Sequence, residues 1–278
     1  MKAVRLCLPA LLLLTGASAA QAQVELRSTV AAQSSETYQA VNNGSHICAP
    51  GAPATPGDRC VASDGRSSSG ADELLVAHAR LQIPQTIGST NPASIYESES
   101  SSYQNLAKTS RGLLKQYEGQ LHASTDVLGP NNGLSMGSGG SASQVLKFKV
   151  QGLFATRAQI GGRFNARASG RLHNNTSWLP SSAMVKVRLE RAVLFGSPEV
   201  LLEKELSSSD SSGNVLELLL AETLSLKSGD YTLSFSGSSN VGHFGSAYSS
   251  IGFGQRSSAE IDGEFQITLS SLQLFLFP

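Results

Sequence analysis

The chain has 278 residues, in which 21 lysines and arginines balance 21 aspartates and glutamates. Charged residues make up 15% of the sequence, against roughly 25% in an average soluble protein. Serine alone fills 44 positions, a composition that suits short strands and tight turns better than long helices. Because phosphate binding needs a surplus of basic residues, we expect no nucleic-acid partner.

Residues 1–22 have the pattern of a secretory signal peptide. Lys2 and Arg5 precede the apolar run Leu6–Leu14, and Ala20-Gln21-Ala22 forms a cleavage site of small residues. We expect cleavage after Ala22 and a mature chain that is secreted, either extracellular or periplasmic. No later stretch reaches the roughly 18 apolar residues that a spanning helix needs, so we expect no membrane span in the mature chain.

Cys48 and Cys60 are the two cysteines left after this cleavage, and the segment between them is rich in proline and glycine. An oxidising compartment favours a disulfide between such a pair, so we expect a disulfide-closed loop in the N-terminal part. A metal site that uses His46 with these thiols would need further ligands, which the segment does not supply.

Two segments of the first half alternate between apolar and polar residues with the period of a strand. The run from 75 to 83 also fits a helix opened by a capping box at Ser69, and we prefer the strand, which Pro84 ends. In the run from 113 to 123, Gln120 and His122 alternate with the apolar positions.

A stretch rich in glycine and serine, residues 129–143, has the composition of a flexible loop or linker. It predicts either a long loop inside one large sandwich of residues 23–278 or a boundary between two domains, 23–128 and 144–278. We prefer the single sandwich, because the part before the stretch has too few long apolar runs for a core of its own.

The second half carries the clearest signal for fold class. Every second residue from Ile160 to Leu172 is apolar or small, which predicts one long, half-buried strand. Shorter runs repeat the pattern at 146–150, 185–189, 231–235 and 261–269. Turn-forming clusters lie between the runs, at 174–175, 207–214, 227–230 and 262–263. The chain is therefore predicted to be all-β, a β-sandwich of Greek-key or jelly-roll type.

The hexapeptide from Leu226 to Tyr231 has the Leu-x-x-Gly-x-Tyr form of a tyrosine corner. In that motif the tyrosine hydroxyl bonds to the main chain a few residues upstream and fixes a crossover between two sheets. The preceding run, 216–226, fits a strand slightly better than an amphipathic helix, and the motif requires a strand there.

Arg163, Arg167 and Arg171 recur at every fourth residue on the polar side of the long strand. These arginines, spaced roughly 13 Å apart, could bind carboxylates or sulfates of an anionic polymer, or they could simply keep the sheet soluble. Trp178 and Tyr248 lie in polar, loop-like segments, where an aromatic ring can stack on a sugar or belong to the core.

No set of residues in the sequence has the spacing of a catalytic or metal site. Gly133–Gly137 matches the G-x-S-x-G pattern but lacks the flanking strand and helix that the motif needs. The five histidines are scattered. Carboxylate pairs such as Asp262 and Glu264 could form an acid/base couple on one strand face, or be ordinary surface charges. We therefore predict no catalytic residues, no metal and no cofactor.

The order of these features, with the segment Leu224–Phe235 (LSLKSGDYTLSF), resembles exported β-sandwich proteins of Gram-negative bacteria from the PEP-CTERM-associated group. The resemblance covers residues 105–270 and implies a bacterial, exported sandwich, in a group whose members are mostly uncharacterised. The segment Leu272–Pro278 carries no Pro-Glu-Pro motif, spanning helix or basic tail. The sorting and anchoring of that group are therefore not carried over.

From export and fold class we expect a secreted, non-catalytic protein that binds polysaccharide or takes part in assembly at the cell surface or in the extracellular matrix. Self-assembly would use the C-terminal strand, residues 272–277. The alternative is a secreted lyase or hydrolase acting on carbohydrate, whose residues meet only in the fold. One scaffold hosts many functions, so the fold class alone does not decide between them.

Overall fold

The computed structural model describes residues 24–37, 47–49, 52–53, 59–83, 94–109, 114–128, 135–151, 155–169, 181–209, 214–243 and 256–271. These residues form strands and short connections and contain no helix, which confirms the all-β prediction. In chain order the strands are β1 Glu25–Thr37, β2 Ile47–Ala49, β3 Ala52–Pro53, β4 Arg59–Ser68, β5 Glu73–Ile83, β6 Ser94–Lys108, β7 Leu114–Leu128, β8 Ser135–Val150, β9 Thr156–Ser169, β10 Ser181–Arg191, β11 Glu199–Ser209, β12 Val215–Leu226, β13 Gly229–His243 and β14 Arg256–Ser271. Within these residues no helix exists that could cross a membrane.

Twelve of the strands form two antiparallel sheets, and β2 pairs with β3 separately. Sheet 1 has the order β11-β10-β13-β8-β1-β4, and sheet 2 has the order β12-β9-β14-β7-β6-β5. Buried side chains from both sheets belong to one hydrophobic core. Two antiparallel sheets packed over a shared core form a β-sandwich.

The strand alternation predicted from residue 160 onward is confirmed in β9, where Ile160 and Phe164 are buried. The described parts of the runs at 75–83, 113–123 and 216–226 also form strands, β5, β7 (from Leu114) and β12. The strand interpretation was therefore right in both places where a helix was the alternative.

Strand β8 corrects the prediction of a flexible stretch at 129–143, because residues 135–143 belong to this strand, between β1 and β13 in sheet 1. Glycine is needed at one inward position, since a Cβ on Gly140 would lie 2.7 Å from the main-chain oxygen of Glu99 in sheet 2. Both sheets combine strands from before and after this segment, so 23–128 and 144–278 do not form separate sandwiches.

The turn predicted at 262–263 is also wrong, because both residues lie inside β14. Gly263 faces the core, where a Cβ would come within 2.4 Å of Cδ1 of Phe164. The glycine that suggested a turn therefore makes room for an aromatic ring.

The tyrosine corner is confirmed. The Tyr231 hydroxyl donates a hydrogen bond of 2.7 Å to the main-chain oxygen of Lys227. Strand β12 belongs to sheet 2 and β13 to sheet 1, so the motif fixes the point where the chain crosses between the sheets.

Aromatic rings fill one part of the core. Phe235 of sheet 1 stacks on Phe265 of sheet 2 with ring centroids 3.4 Å apart, and Phe164 stacks against both at 6.1 Å. Another part of the interior contains buried serines beside the aliphatic side chains. The Ser100 hydroxyl donates to the main-chain oxygen of Ala31 at 2.6 Å, so hydrogen bonds join the two sheets directly.

Candidate functional site

A line of polar side chains crosses the outer face of sheet 2. Tyr103 on β6 is in register with Gln120 on β7, which is in register with Glu264 on β14. Glu264 is in turn opposite Arg163 on β9. Residues directly opposite on neighbouring strands point to the same face, so the four side chains lie next to one another.

Two adjoining cavities, of about 350 and 470 Å³, are both lined by these four residues. We call the two cavities together the Tyr103 groove. His122 and Asp262 line the first cavity, and Glu118 and Gln266 line the second. Gly161 leaves the second cavity open, because the nearest atom to a Cβ placed there would be the Leu220 oxygen at 3.8 Å.

Three side chains of the groove are unengaged. Within the described ranges, the Tyr103 hydroxyl, the Gln120 amide and the Glu264 carboxylate have no hydrogen-bond or ion-pair partner. Gln120 and Glu264 are exposed and Tyr103 is half-buried. These groups are free to contact a ligand without first breaking an internal contact.

The main chain beneath the groove is held from the opposite sheet. The buried Gln144 of β8 donates its side-chain N–H groups to the main-chain oxygens of Tyr103, at 2.7 Å, and Gln120, at 3.0 Å. A side chain of sheet 1 therefore positions the two neighbouring strands that carry the aromatic and amide ends of the groove.

The predicted arginine row lies partly within the described residues. Arg163 and Arg167 are exposed on the outer face of β9, four residues apart as the alternation requires. Arg163 forms an ion pair with Glu217 of β12, and Arg167 is in register with Glu260 of β14. Each arginine therefore has an acidic neighbour, which counts against a row of free cations for an anionic polymer.

Several predicted sites fall outside the described residues. They are Arg171, Trp178, Tyr248, the side chains of Cys48 and Cys60, the signal peptide 1–22 and the C-terminal segment 272–278. No cysteine pair is present among the side chains that are described. The disulfide-closed loop therefore stays a prediction.

His122 forms an ion pair with Asp262 beside the groove. Its Nδ1 lies 2.7 Å from Oδ1 of Asp262. This hydrogen bond raises the pKa of His122 against the opposing effect of burial. The ligand atoms of His122, Asp262 and Glu260 all lie within 4.8 Å of one another, a set of donors that a divalent cation can take. The ion pair alone accounts for the cluster, and we propose no metal there.

Sequence reasoning missed Tyr103 as a site residue. After the buried Tyr96, four successive inward positions of its strand are polar, so this part of β6 shows no alternation of hydrophobicity that would reveal its outer face; they are Ser98, Ser100, Ser102 and Gln104. Gln120 and His122 were correctly placed on the polar side of their strand, but nothing in the sequence showed that they lie beside a tyrosine.

No family model and no curated protein matches the chain. Three solved viral structures show a slight likeness at 10% identity each. Infectious bursal disease virus strain Gx has a TM-score of 0.25 over 91% of this chain and 57% of the viral chain. Strain Gt has 0.20 over 90% and 66%, and the T13 particle of the virus has 0.18 over 89% and 63%. The chain thus spans less than two thirds of each viral chain, and a likeness of this level says nothing of what the groove binds.

Proposed function

We propose that this chain is an exported protein that binds polysaccharide through the Tyr103 groove. The observation that supports this most is the unengaged set of Tyr103, Gln120 and Glu264 along two joined cavities. An aromatic ring can cover the apolar face of a sugar while amide and carboxylate groups bond its hydroxyls. The four strands that carry the groove are roughly 4.8 Å apart, so it has room for more than one sugar ring.

Export, a periplasmic or extracellular location and the disulfide between Cys48 and Cys60 belong to this proposal, as does the Greek-key or jelly-roll type of the sandwich. The likeness of Leu224–Phe235 to exported Gram-negative sandwich proteins supports the export and the sandwich type in this proposal. Assembly through residues 272–277 would add avidity, since several copies could hold one polymer.

Binding can be tested with the purified exported chain on a glycan array, followed by titration of the best ligand. We expect Tyr103→Ala to weaken binding at least tenfold and Tyr103→Phe to preserve most of it, because the ring supplies the stacking surface. Phe195→Ala is the matched control, since that ring is 93% exposed in the connection between β10 and β11 and lies outside the groove. Failure of every glycan to bind, or unchanged binding by Tyr103→Ala, would overturn the proposal.

A carbohydrate-active enzyme is the second candidate, because the groove collects groups that can transfer protons. Asp262 and Glu264 are two residues apart on one strand face, with main-chain positions roughly 7 Å apart, and glycosidases use a pair of such carboxyl groups. Tyr103 and His122 could serve a lyase as acid and base.

Prolonged incubation with each bound polysaccharide decides between the two candidates. New reducing ends that are lost in Glu264→Gln would indicate a hydrolase. Unsaturated ends that are lost in both Tyr103→Phe and His122→Ala would indicate a lyase. Binding without either product is the result expected of a binding protein.

A further inference from the structure

The charge of the Tyr103 groove limits the chemistry of its ligand. Carboxylates outnumber free cations among the residues that line it. Glu118, Asp262 and Glu264 are acidic. The two basic side chains are both engaged, Arg163 by Glu217 of the neighbouring strand and His122 by Asp262. A polymer of uronic acids or sulfated sugars would meet repulsion along this surface.

Glu264 is the carboxylate best placed to contact a ligand directly. It is exposed, lines both cavities, and has no partner in the part of the chain that the structure describes. The other two acids are already engaged, Asp262 by His122 and Glu118 by the amide of Gln266 at 3.4 Å. A ligand that brings a cation to Glu264 therefore gains a charge-assisted hydrogen bond without breaking another one.

The acidic character continues on the same face beyond the groove. Glu99 and Glu260 lie on the two sides of Ser124, in register with it, and Glu260 contributes to raising the pKa of His122. An extended ligand that crosses these strands would pass both carboxylates, of which Glu260 is opposite Arg167 and Glu99 is the one that favours a positively charged repeat.

We propose that the groove selects a glycan with free amino groups, such as a polymer of deacetylated hexosamine. This inference rests on the proposed function, since it assigns the ligand class of the same groove. Tyr103 covers the apolar face of one sugar ring, and Glu264 accepts a hydrogen bond from the protonated amine of that ring or its neighbour. The sheet supplies complementary charge, and the stacked ring supplies the affinity for a sugar rather than for any polyamine.

The test uses glucosamine hexasaccharide and its fully N-acetylated counterpart, in which each ammonium group is replaced by a neutral acetamide. Calorimetric titration is done in mildly acidic buffer, which keeps the sugar amine protonated. We expect the free amine to bind at least tenfold more tightly than the acetylated sugar. Glu264→Gln should remove that preference by weakening the binding of the free amine at least tenfold.

Glu205→Gln is the matched control, an exposed glutamate on the outer face of sheet 1. It should leave both affinities unaltered, and a polyamine without sugar rings should bind weakly. Equal affinity for the two hexasaccharides, a preference for oligogalacturonate, or a preference that survives Glu264→Gln would overturn the inference while the proposed function stands. If no oligosaccharide binds and the array is also negative, both fail.

Discussion

Tyr117 and Gln144 join the two sheets through a hydrogen bond of 2.8 Å from the tyrosine hydroxyl to Oε1 of the glutamine. Both residues are completely buried, and burial raises the pKa of the Tyr117 hydroxyl. The same glutamine holds the main chain of Tyr103 and Gln120 through its nitrogen. The Gln144 side chain therefore connects the core to the groove, because its oxygen accepts from Tyr117 and its nitrogen donates to the main chain of Tyr103 and Gln120.

Removing the Tyr117 hydroxyl should destabilise the fold. We expect Tyr117→Phe to lower the free energy of unfolding by about 1–3 kcal/mol, because the Gln144 oxygen loses a donor in a place that excludes water. Urea denaturation monitored by circular dichroism gives this difference. Tyr103→Phe removes a hydroxyl without a partner among the described residues and should leave the midpoint unchanged; equal effects of the two variants would refute the assignment.

Gly119 and Gly161 provide a sharper test of packing within sheet 2. A Cβ on Gly119 would lie 2.2 Å from Oε1 of Gln144 and 2.3 Å from Cζ of Phe265, whereas a Cβ on Gly161 would only touch the Leu220 oxygen at 3.8 Å. We expect Gly119→Ala to cost about 1–3 kcal/mol through overpacking. Gly161→Ala should be neutral or slightly stabilising, since it restricts the unfolded chain. Thermal denaturation of the pair measures both effects, and a comparable loss in each would contradict the packing described.

How well a strand could be predicted from the sequence depended on the residue types at its buried positions. In β9 a clean alternation of apolar and polar residues showed both the strand and its buried face, and the Leu226–Tyr231 motif located a crossover. Such patterns work because large apolar side chains must be buried whatever the tertiary context.

Strands β6 and β8 were harder to predict for one shared reason. From Ser98 to Ser102 in β6 and from Ser138 to Ala142 in β8 the inward positions hold serine, glycine and alanine, whose burial comes from the close approach of the two sheets and not from hydrophobicity. The stretch at 135–143 therefore had the composition of a linker although it forms part of a central strand. The groove could not be predicted because it depends on the register of four strands that are distant in sequence.

The tyrosine corner predicts a measurable contribution to stability. Tyr231→Phe removes the hydrogen bond to the Lys227 main-chain oxygen, which lies at the crossover from β12 to β13. We expect a loss of about 0.5–1.5 kcal/mol, the usual net value of such a bond. The measurement is the shift of the urea midpoint at constant slope, and an unchanged midpoint would mean that the corner does not help to hold the crossover.

The His122–Asp262 pair predicts a dependence of stability on pH. The hydrogen bond to Asp262 raises the pKa of His122 in the folded state, so folding favours the protonated imidazole. The stabilisation should be complete below about pH 6.5, the usual pKa of histidine, and should disappear as the pH rises through the higher folded value. For a partly exposed pair we expect less than about 1 kcal/mol.

The comparison of wild type with Asp262→Asn at a series of pH values isolates this contribution. The difference in free energy of unfolding should be largest below about pH 6.5, where His122 is protonated, and should shrink towards zero in alkaline buffer. A difference that grows with pH would show that the pair does not favour the protonated imidazole.

Lys204 and Glu222 close one side of the sandwich, where the edge strands β11 and β12 meet. Lys204 is in register with the buried Val187, and its Nζ lies 3.4 Å from Oε1 of Glu222 in the other sheet. An inward charge on an edge strand discourages pairing with a second chain. We expect Lys204→Val to cause association at concentrations where the wild type sediments as a single species. Lys186→Val, which removes a lysine from the outer face of the interior strand β10, should not. Sedimentation velocity over a range of concentrations tests this, and identical profiles for the two variants would argue against a protective role for Lys204.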